Sequence, residues 1–305
     1  MKILNIWINT YIIVNNMKNN ITLYNHFHNG DIFYSRILIN ILKNHYNITY
    51  YHNLQSPLFE DLPEVNEIVG IPGNYDIHNT NLENNIVNTW IGQKQMIYVS
   101  HQPIPGCSFI NHFKLVTDIC DFYNIELDND FNKYLPSVIN TNLKSHDNIV
   151  NKIKELKLKY DLIILVCDGN VNSSQSHNFS FTPIVENLSE NNPNCLFLST
   201  NQLYENNSNV ITTYPQITES LPDLLQISLI SNHCDIIVGR ASGPFCFTHT
   251  KENFNDDKKT FISFTFNESE GIFYYDGKNK NLWSNNLNYP NMITTIQNEI
   301  NLKIK

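Results

Sequence analysis

A chain of 305 residues with a formal net charge of -9 is long for one core and comfortable for two domains of roughly 150 residues each. Its 41% hydrophobic content, with 17 Phe and 16 Tyr, supplies buried cores and excludes disorder as a class. An acidic chain without a Lys/Arg block disfavours a nucleic-acid binder that neutralises phosphates, and no apolar run reaches the ~18–20 residues that span a bilayer.

Met1–Val14 is apolar, but Asn5 and Asn9 interrupt it and no small-residue cleavage site follows, so it reads against a secretory leader. Ile21–Phe27 predicts a strand, His28-Asn29-Gly30-Asp31 a turn, and Ile32–His45 a helix with Phe33, Ile37, Leu38, Ile41 and Leu42 on one face. Asn47–His52 and Gln95–Ser100 predict strands, and Phe109–Tyr123 a helix. The rhythm then restarts. His146–Lys159 is an amphipathic helix, and Asp161–Asp168 is the strongest buried strand, followed by the loop Gly169–Ser176. Thr182–Glu190 reads as helix, Cys195–Ser199 and Val210–Tyr214 as strands, and Leu221–His233 as helix. Asp235–Gly239 is a strand, Arg240–Pro244 a tight turn, Phe245–Lys251 a short helix, Thr260–Phe264 a strand and Asn291–Lys305 a closing helix. This alternation predicts an α/β protein of two Rossmann-like units, 1–145 and 146–290, followed by a helix, 291–305. A cleft between such units is a usual small-molecule site.

Asparagine is the compositional oddity, with 50 copies, and it follows AT-rich codon usage along with Ile, Lys and Tyr. Chance Asn-X-Ser/Thr sequons such as Asn47-Ile48-Thr49 therefore say nothing of glycosylation. The same bias suppresses arginine: Arg36 and Arg240 are the only two, and each position gains information from its rarity. The six cysteines form no Cys-x-x-Cys pair and complete no zinc pattern, and they read as small buried hydrophobes in a reducing, cytoplasmic compartment. Gly-x-Gly-x-x-Gly and Walker A patterns are absent.

Two strand-end loops carry the chemistry. In the first, Gly30 permits a tight turn, and Asp31 is either a helix cap or a carboxylate placed to act as a general base. Arg36, one turn on, is either a bidentate clamp for a carboxylate or phosphate or a solvated helix charge. The second is Asp235-Ile236-Ile237-Val238-Gly239-Arg240-Ala241-Ser242-Gly243-Pro244. Here Gly239 and Gly243 let backbone approach a ligand, Pro244 starts a helix whose amides suit a diphosphate, Ser242 adds a hydroxyl and Arg240 a cation. The alternative is an ordinary strand-turn-helix corner. The polar loop with Asn170, Ser173 and Ser174 could bind the same phosphates or a base, and an Asn-rich surface turn explains it equally. His26, His28, Trp90 and His101 are candidate acceptor contacts, with Trp90 either stacking on a sugar or half-buried in the core. Asp128-Asn129-Asp130 has the letters of a metal motif but lies in a polar stretch and reads as a turn.

Taken together, Asn29-Gly30-Asp31-Ile32-Phe33-Tyr34-Ser35 and Cys234–Pro244 resemble the two signature loops of heptosyltransferase-like (GT9-like) glycosyltransferases of the GT-B fold, in the same order. The resemblance runs from about residue 21 to about 265 and implies two Rossmann-like domains facing a central cleft. It implies a nucleotide-diphosphate sugar donor, a glycan or other hydroxyl acceptor, metal-independent and inverting transfer, and Asp31 as the base, with no cofactor beyond the co-substrate. Donor contacts fall on Gly239, Arg240, Ser242, Gly243, Pro244, Asn170, Ser173 and Ser174, and acceptor-side contacts on His28, Gly30, Arg36, Trp90 and His101. The chain departs from the family in three ways: Cys246 stands two residues beyond the Pro where the family carries His, the basic residue after the first strand of the second unit is missing from Gly169–His177, and Arg240 replaces Asn or Asp. A nucleotide-sugar binder without turnover, or a sugar-nucleotide epimerase, are the alternatives these departures leave open.

Overall fold

A computed structural model describes residues 18–26, 29–54, 58–70, 80–90, 108–137, 145–171, 176–203, 207–221, 223–266 and 277–304. Two parallel sheets organise the chain. The first has the order β3-β2-β1-β4 and is built from β1 (Asn19–Asn25), β2 (Tyr46–His52), β3 (Val65–Val69) and β4 (Ile86–Asn88). The second has the order β10-β9-β8-β5-β6-β7. Its strands are β5 (Leu162–Cys167), β6 (Cys195–Ser199), β7 (Val210–Thr212), β8 (Ile236–Gly239), β9 (Thr260–Phe264) and β10 (Lys280–Ser284). Every strand pair in both sheets is parallel.

Strand β5 shows why this sequence layers as it does. Its six residues are all buried. Ile163, Leu165 and Cys167 face one apolar cluster, and Leu162, Ile164 and Val166 face another that contains Phe181, Ile184 and Leu188 of the Thr182–Asn191 helix. A strand covered on both sides has no use for alternation and reads as an unbroken apolar run. The first of these clusters is continuous across both sheets. It takes in Ile21, Leu23, Phe33 and Ile37 together with Leu165, Ile237, Phe245 and Phe261.

The direction in which strands are added reverses once in each sheet. In the first, the chain steps from β1 to β2 to β3 and then returns to place β4 on the other side of β1. In the second it steps from β5 to β6 to β7 and returns to place β8 beside β5. Such switch points leave a crevice at the carboxyl ends of the flanking strands, because the connections on either side run in opposite directions. The residues after β1 and β4 are His26 to Asp31 and Thr89–Trp90, and those after β5 and β8 are Asp168–Val171 and Arg240–Pro244.

Several expected elements shift. The helix expected over 32–45 begins earlier and falls into Asn29–Tyr34 and Arg36–Leu42, with a turn at Ser35. The Ser35 hydroxyl bonds back to the Ile32 carbonyl at 2.6 Å, a contact that competes with regular helix geometry. The helix expected over 245–251 is two short ones, Gly243–Cys246 and Lys251–Asn255, the second capped by the Thr250 hydroxyl. Strands β3, β4 and β10 escape sequence reading because they are three to five residues long and only partly apolar. The strand expected over 95–100 lies outside the described residues. No helix among the described residues is long and apolar enough to cross a membrane.

At the opposite end of β8 from the switch point, His233 precedes the strand. Burial, with Lys157, Lys259, His146 and Lys154 adding positive charge, pushes its pKa down to about 4. The unfolded chain therefore binds a proton that the folded chain refuses between about pH 6.5 and 4, and stability falls as pH drops through that window. His233→Gln should flatten this acid limb, by about 1 kcal/mol once solvent screening of the partly exposed ring is counted. Urea midpoints of both proteins at pH 7.5, 6.5, 5.5 and 4.5 measure it, and parallel curves would show that His233 is not the cause.

Candidate functional site

The two signature loops meet. Helix Asn29–Tyr34 lies against helix Gly243–Cys246 so closely that a Cβ on Gly30 would stand 2.9 Å from Cys246 Sγ. A Cβ on Gly243 would stand 3.5 Å from the side chain of Asn29. The first approach requires glycine, since real Cβ atoms do not come that near sulfur without displacement. Behind this contact, Phe33 packs on Phe247 with ring centroids 4.5 Å apart. Tyr34 shares a 2.6 Å hydrogen bond with His249 Nδ1. The partnership of His249 with Tyr34 joins residues 215 positions apart and carries no local signal.

Asp31 sits in the first turn of the Asn29–Tyr34 helix, half-buried at this junction. Its charge, after burial and Cys246, helps hold the Tyr34 phenol well above its ordinary pKa. Burial pushes the Cys246 thiol up to about 12 against the pull of the Tyr34 hydrogen bond, with Asp31 adding to the rise. Burial holds His249 well below the usual histidine range, so it is neutral. The carboxylate of Asp31 therefore stands beside groups that remain protonated or neutral at pH 7.

Beneath Asp31 lies a buried polar seam. Ser35 Oγ reaches Tyr50 Oη at 3.0 Å, Tyr50 Oη reaches Thr89 Oγ1 at 2.7 Å, and Asn25 Nδ2 donates to Thr89 Oγ1 at 3.2 Å. These bonds tie the ends of β1, β2 and β4 to the Asp31 helix. Trp90 follows at once, half-buried, its amide donating to Asn88 Oδ1 at 2.9 Å and its ring edge-on to His26 at 6.3 Å.

On the donor side, glycine is again dictated by contact. A Cβ on Gly239 would lie 2.5 Å from the Phe245 ring, and one on Gly169 would lie 2.7 Å from Pro244 Cδ and 3.1 Å from Ser242 Oγ. The loops after β5 and β8 are thus pressed together. Ser242 is extended, with φ of -114° and ψ of 164°, and its hydroxyl makes no cap to the following helix. That Oγ is buried and has no hydrogen-bond partner among the described residues.

Both arginines are buried: Arg36 is a bidentate clamp on a carboxylate of the chain itself, not a solvated helix charge, and Arg240 is held by main-chain carbonyls and Asp168. Arg36 is 1% exposed. Its Nη1 and Nη2 each donate to Asp61 at 2.7 Å, and Nη2 also donates to the Leu58 carbonyl at 2.6 Å. The guanidinium stands 5.4 Å and 5.3 Å from the Phe33 and Phe59 ring centres. Arg240 is equally buried. Its Nε donates to the Gly169 carbonyl at 2.7 Å, Nη1 to the Phe179 carbonyl and Nη2 to Asp168 Oδ1, with Phe179 and Phe181 ring centres at 4.8 and 5.3 Å. Burial raises the Asp168 carboxyl against the pull of Arg240. A buried guanidinium needs this much compensation because desolvating an unpaired charge is prohibitive.

Of the other expected contacts, Asn170 is exposed beside Gly169, while Ser173, Ser174, His28 and His101 lie outside the described residues. Asp128-Asn129-Asp130 is a turn: Asp128 Oδ1 accepts the Asp130 amide at 2.8 Å, Asp130 Oδ1 accepts the Asn132 amide at 3.1 Å, and Lys133 pairs with Asp128. No cluster of three or more metal-ligating side chains occurs among the described residues. Sequence reading missed Asp168, Phe179 and Phe181 as a set; the one signal was an aspartate closing an apolar strand whose neighbour ends in arginine.

Two parallel sheets with abutting switch-point loops define a mixed α/β architecture of the GT-B type, and the fold is similar to that of a heptosyltransferase. The E. coli heptosyltransferase WaaC with ADP matches with a TM-score of 0.53 at 7% identity, over 92% of this chain and 98% of that one. A glycosyl transferase family 9 structure from Veillonella parvula matches with a TM-score of 0.46 at 10% identity, over 92% of each chain. No family model matches the sequence, and no curated protein sequence matches it.

The contact between the two loops is directly testable. Gly30→Ala should cost about 1–3 kcal/mol of stability through overpacking, and a Cys246→Ala background should recover at least half of that loss. Denaturant unfolding of the two single variants and the double variant measures the coupling; a loss undiminished in the double variant would mean that the loops do not touch there.

Proposed function

We propose that the chain is a glycosyltransferase that moves a sugar from a nucleotide-diphosphate donor to an acceptor hydroxyl, with inversion and without a metal. The observation that carries this reading is the packing of the helix that bears Asp31 against the Gly243–Cys246 helix, seen in the approach of Gly30 to Cys246 and of Asn29 to Gly243. A fold shared with a heptosyltransferase supports it. In this reading residues 1–145 form the acceptor side and 146–290 the donor side.

Inversion needs a base on the face of the anomeric carbon opposite the leaving group. Asp31 would accept the proton of the attacking hydroxyl as the new glycosidic bond forms. The diphosphate leaves from the other side with the electron pair of the broken bond. Ser242 Oγ, which has no hydrogen-bond partner among the described residues, is suited to donate to a phosphate oxygen. The main-chain amide of Gly243 lies next to it on the same turn, and preorganised donors of this kind favour charge that grows in the transition state. Gly30, Trp90 and His26 would border the acceptor.

Asp31→Asn should retain binding of nucleoside diphosphate and lose about 10²–10⁴-fold in transfer rate. Candidate nucleotide sugars incubated with mixed glycan acceptors, with release of nucleoside diphosphate followed, provide the assay. Transfer at the wild-type rate in Asp31→Asn would remove Asp31 from the role of base.

A further inference from the structure

We infer that Arg240 is a positioning residue for the donor loop: locked onto Asp168 and the carbonyls of Gly169 and Phe179, it shapes the backbone that receives the diphosphate and does not touch the ligand itself. This rests on the donor reading above and assigns the arginine a different task from the counter-charge its sequence position suggests.

The argument begins with what the guanidinium is doing. Its Nε, Nη1 and Nη2 each have a protein acceptor, on Gly169, Phe179 and Asp168 respectively. Its faces are covered by Phe179 and Phe181. The side chain is 2% exposed. A diphosphate could reach it only by displacing an aspartate already paired with it.

What it holds is equally specific. The acceptors at Asp168 and Gly169 lie at the start of the loop that follows β5, and the Phe179 carbonyl lies where the chain returns toward the Thr182–Asn191 helix. One side chain from the β8 loop therefore pins both ends of the segment 169–179. The Cys167–Gly239 register of β5 and β8 sets Asp168 and Arg240 one step beyond paired positions. The Arg240 carbonyl in turn accepts the Ser242 amide at 2.5 Å. Gly169, fixed by Arg240, is the residue on which Pro244 and Ser242 rest. Moving the guanidinium would shift the surface that supports the Ser242 hydroxyl.

Lysine and arginine separate the two tasks. Lysine keeps the charge but lacks three donors in a rigid planar fork. Arg240→Lys should therefore lose affinity for nucleoside diphosphate as Arg240→Ala does, by about tenfold or more. Asp168→Asn, which would free a ligand-binding arginine and tighten binding, should weaken it instead. The salt dependence of the remaining affinity should match wild type, since no phosphate contact has been removed. Calorimetric titration of the full chain with ADP, UDP and GDP, well below each variant's melting temperature, reads all three quantities.

Wild-type affinity in Arg240→Lys, tighter binding in Asp168→Asn, or a shallower salt dependence in the arginine variants would each overturn the assignment. Should the arginine variants not fold, Asp168→Asn and Phe179→Leu decide it, and unchanged affinity in both overturns it. Failure of the wild-type chain to bind any of the three nucleotides would instead overturn the donor reading itself.

Discussion

The two buried guanidinium groups are the constraint around which this molecule is arranged. Arg36 and Arg240 occupy closely similar settings: each is paired with one aspartate, each donates to main-chain carbonyls, and each is flanked by two phenylalanine rings. Each also belongs to a different sheet and ties down a loop near that sheet's carboxyl edge. Arg36 fastens the Leu58–Asp61 stretch after β2, and Arg240 fastens the segments after β5 and β8. Removing one member of such a pair leaves a buried charge uncompensated, at about 3–5 kcal/mol. That is a sizeable share of the stability of an ordinary domain. The arrangement gives these loop segments a defined backbone.

With the loops held, the parallel topology decides what they face. Each sheet reverses its strand order once, and the crevice at each reversal lies beside the residues that carry chemistry. Close packing then brings the two reversals together. Gly30 against Cys246 joins them, while Gly169 against Pro244 and Gly239 against Phe245 press the loops of the second sheet together; at each, a neighbouring side chain occupies the volume a Cβ would need. The continuous apolar cluster, and the hydrogen bond between Tyr34 and His249 inside it, join the Asn29–Tyr34 helix to the second sheet. The helix that carries Asp31 is thereby placed against the Gly243–Cys246 helix.

Much of this was legible in the residues. The unbroken apolar run Leu162–Cys167 announced a strand buried on both faces, and the Gly239–Pro244 turn announced a strand-to-helix corner. The short strands β3, β4 and β10 were not legible, because three to five mixed residues carry too little periodicity to separate a strand from a loop. The rarity of Arg36 and Arg240 marks them in the sequence, and bidentate pairing with a carboxylate is one of the two readings open for Arg36, but their partners and their burial are not legible there. An arginine in a sequence looks like a surface charge, since its partner is a distant carboxylate: Asp61 lies 25 positions from Arg36, and Asp168 lies 72 positions from Arg240.

Local pattern thus settled the class of fold, the two-unit rhythm and the two loops that hold the candidate chemistry. These depend on hydrophobic spacing, glycine and turn residues, which act over a few positions. The tertiary structure alone decided that Gly30 lies on Cys246, that Tyr34 meets His249, and that both arginines face inward. Those outcomes depend on strand register and on which faces pack together, and a register such as Cys167 opposite Gly239 is a relation between segments that neither segment contains.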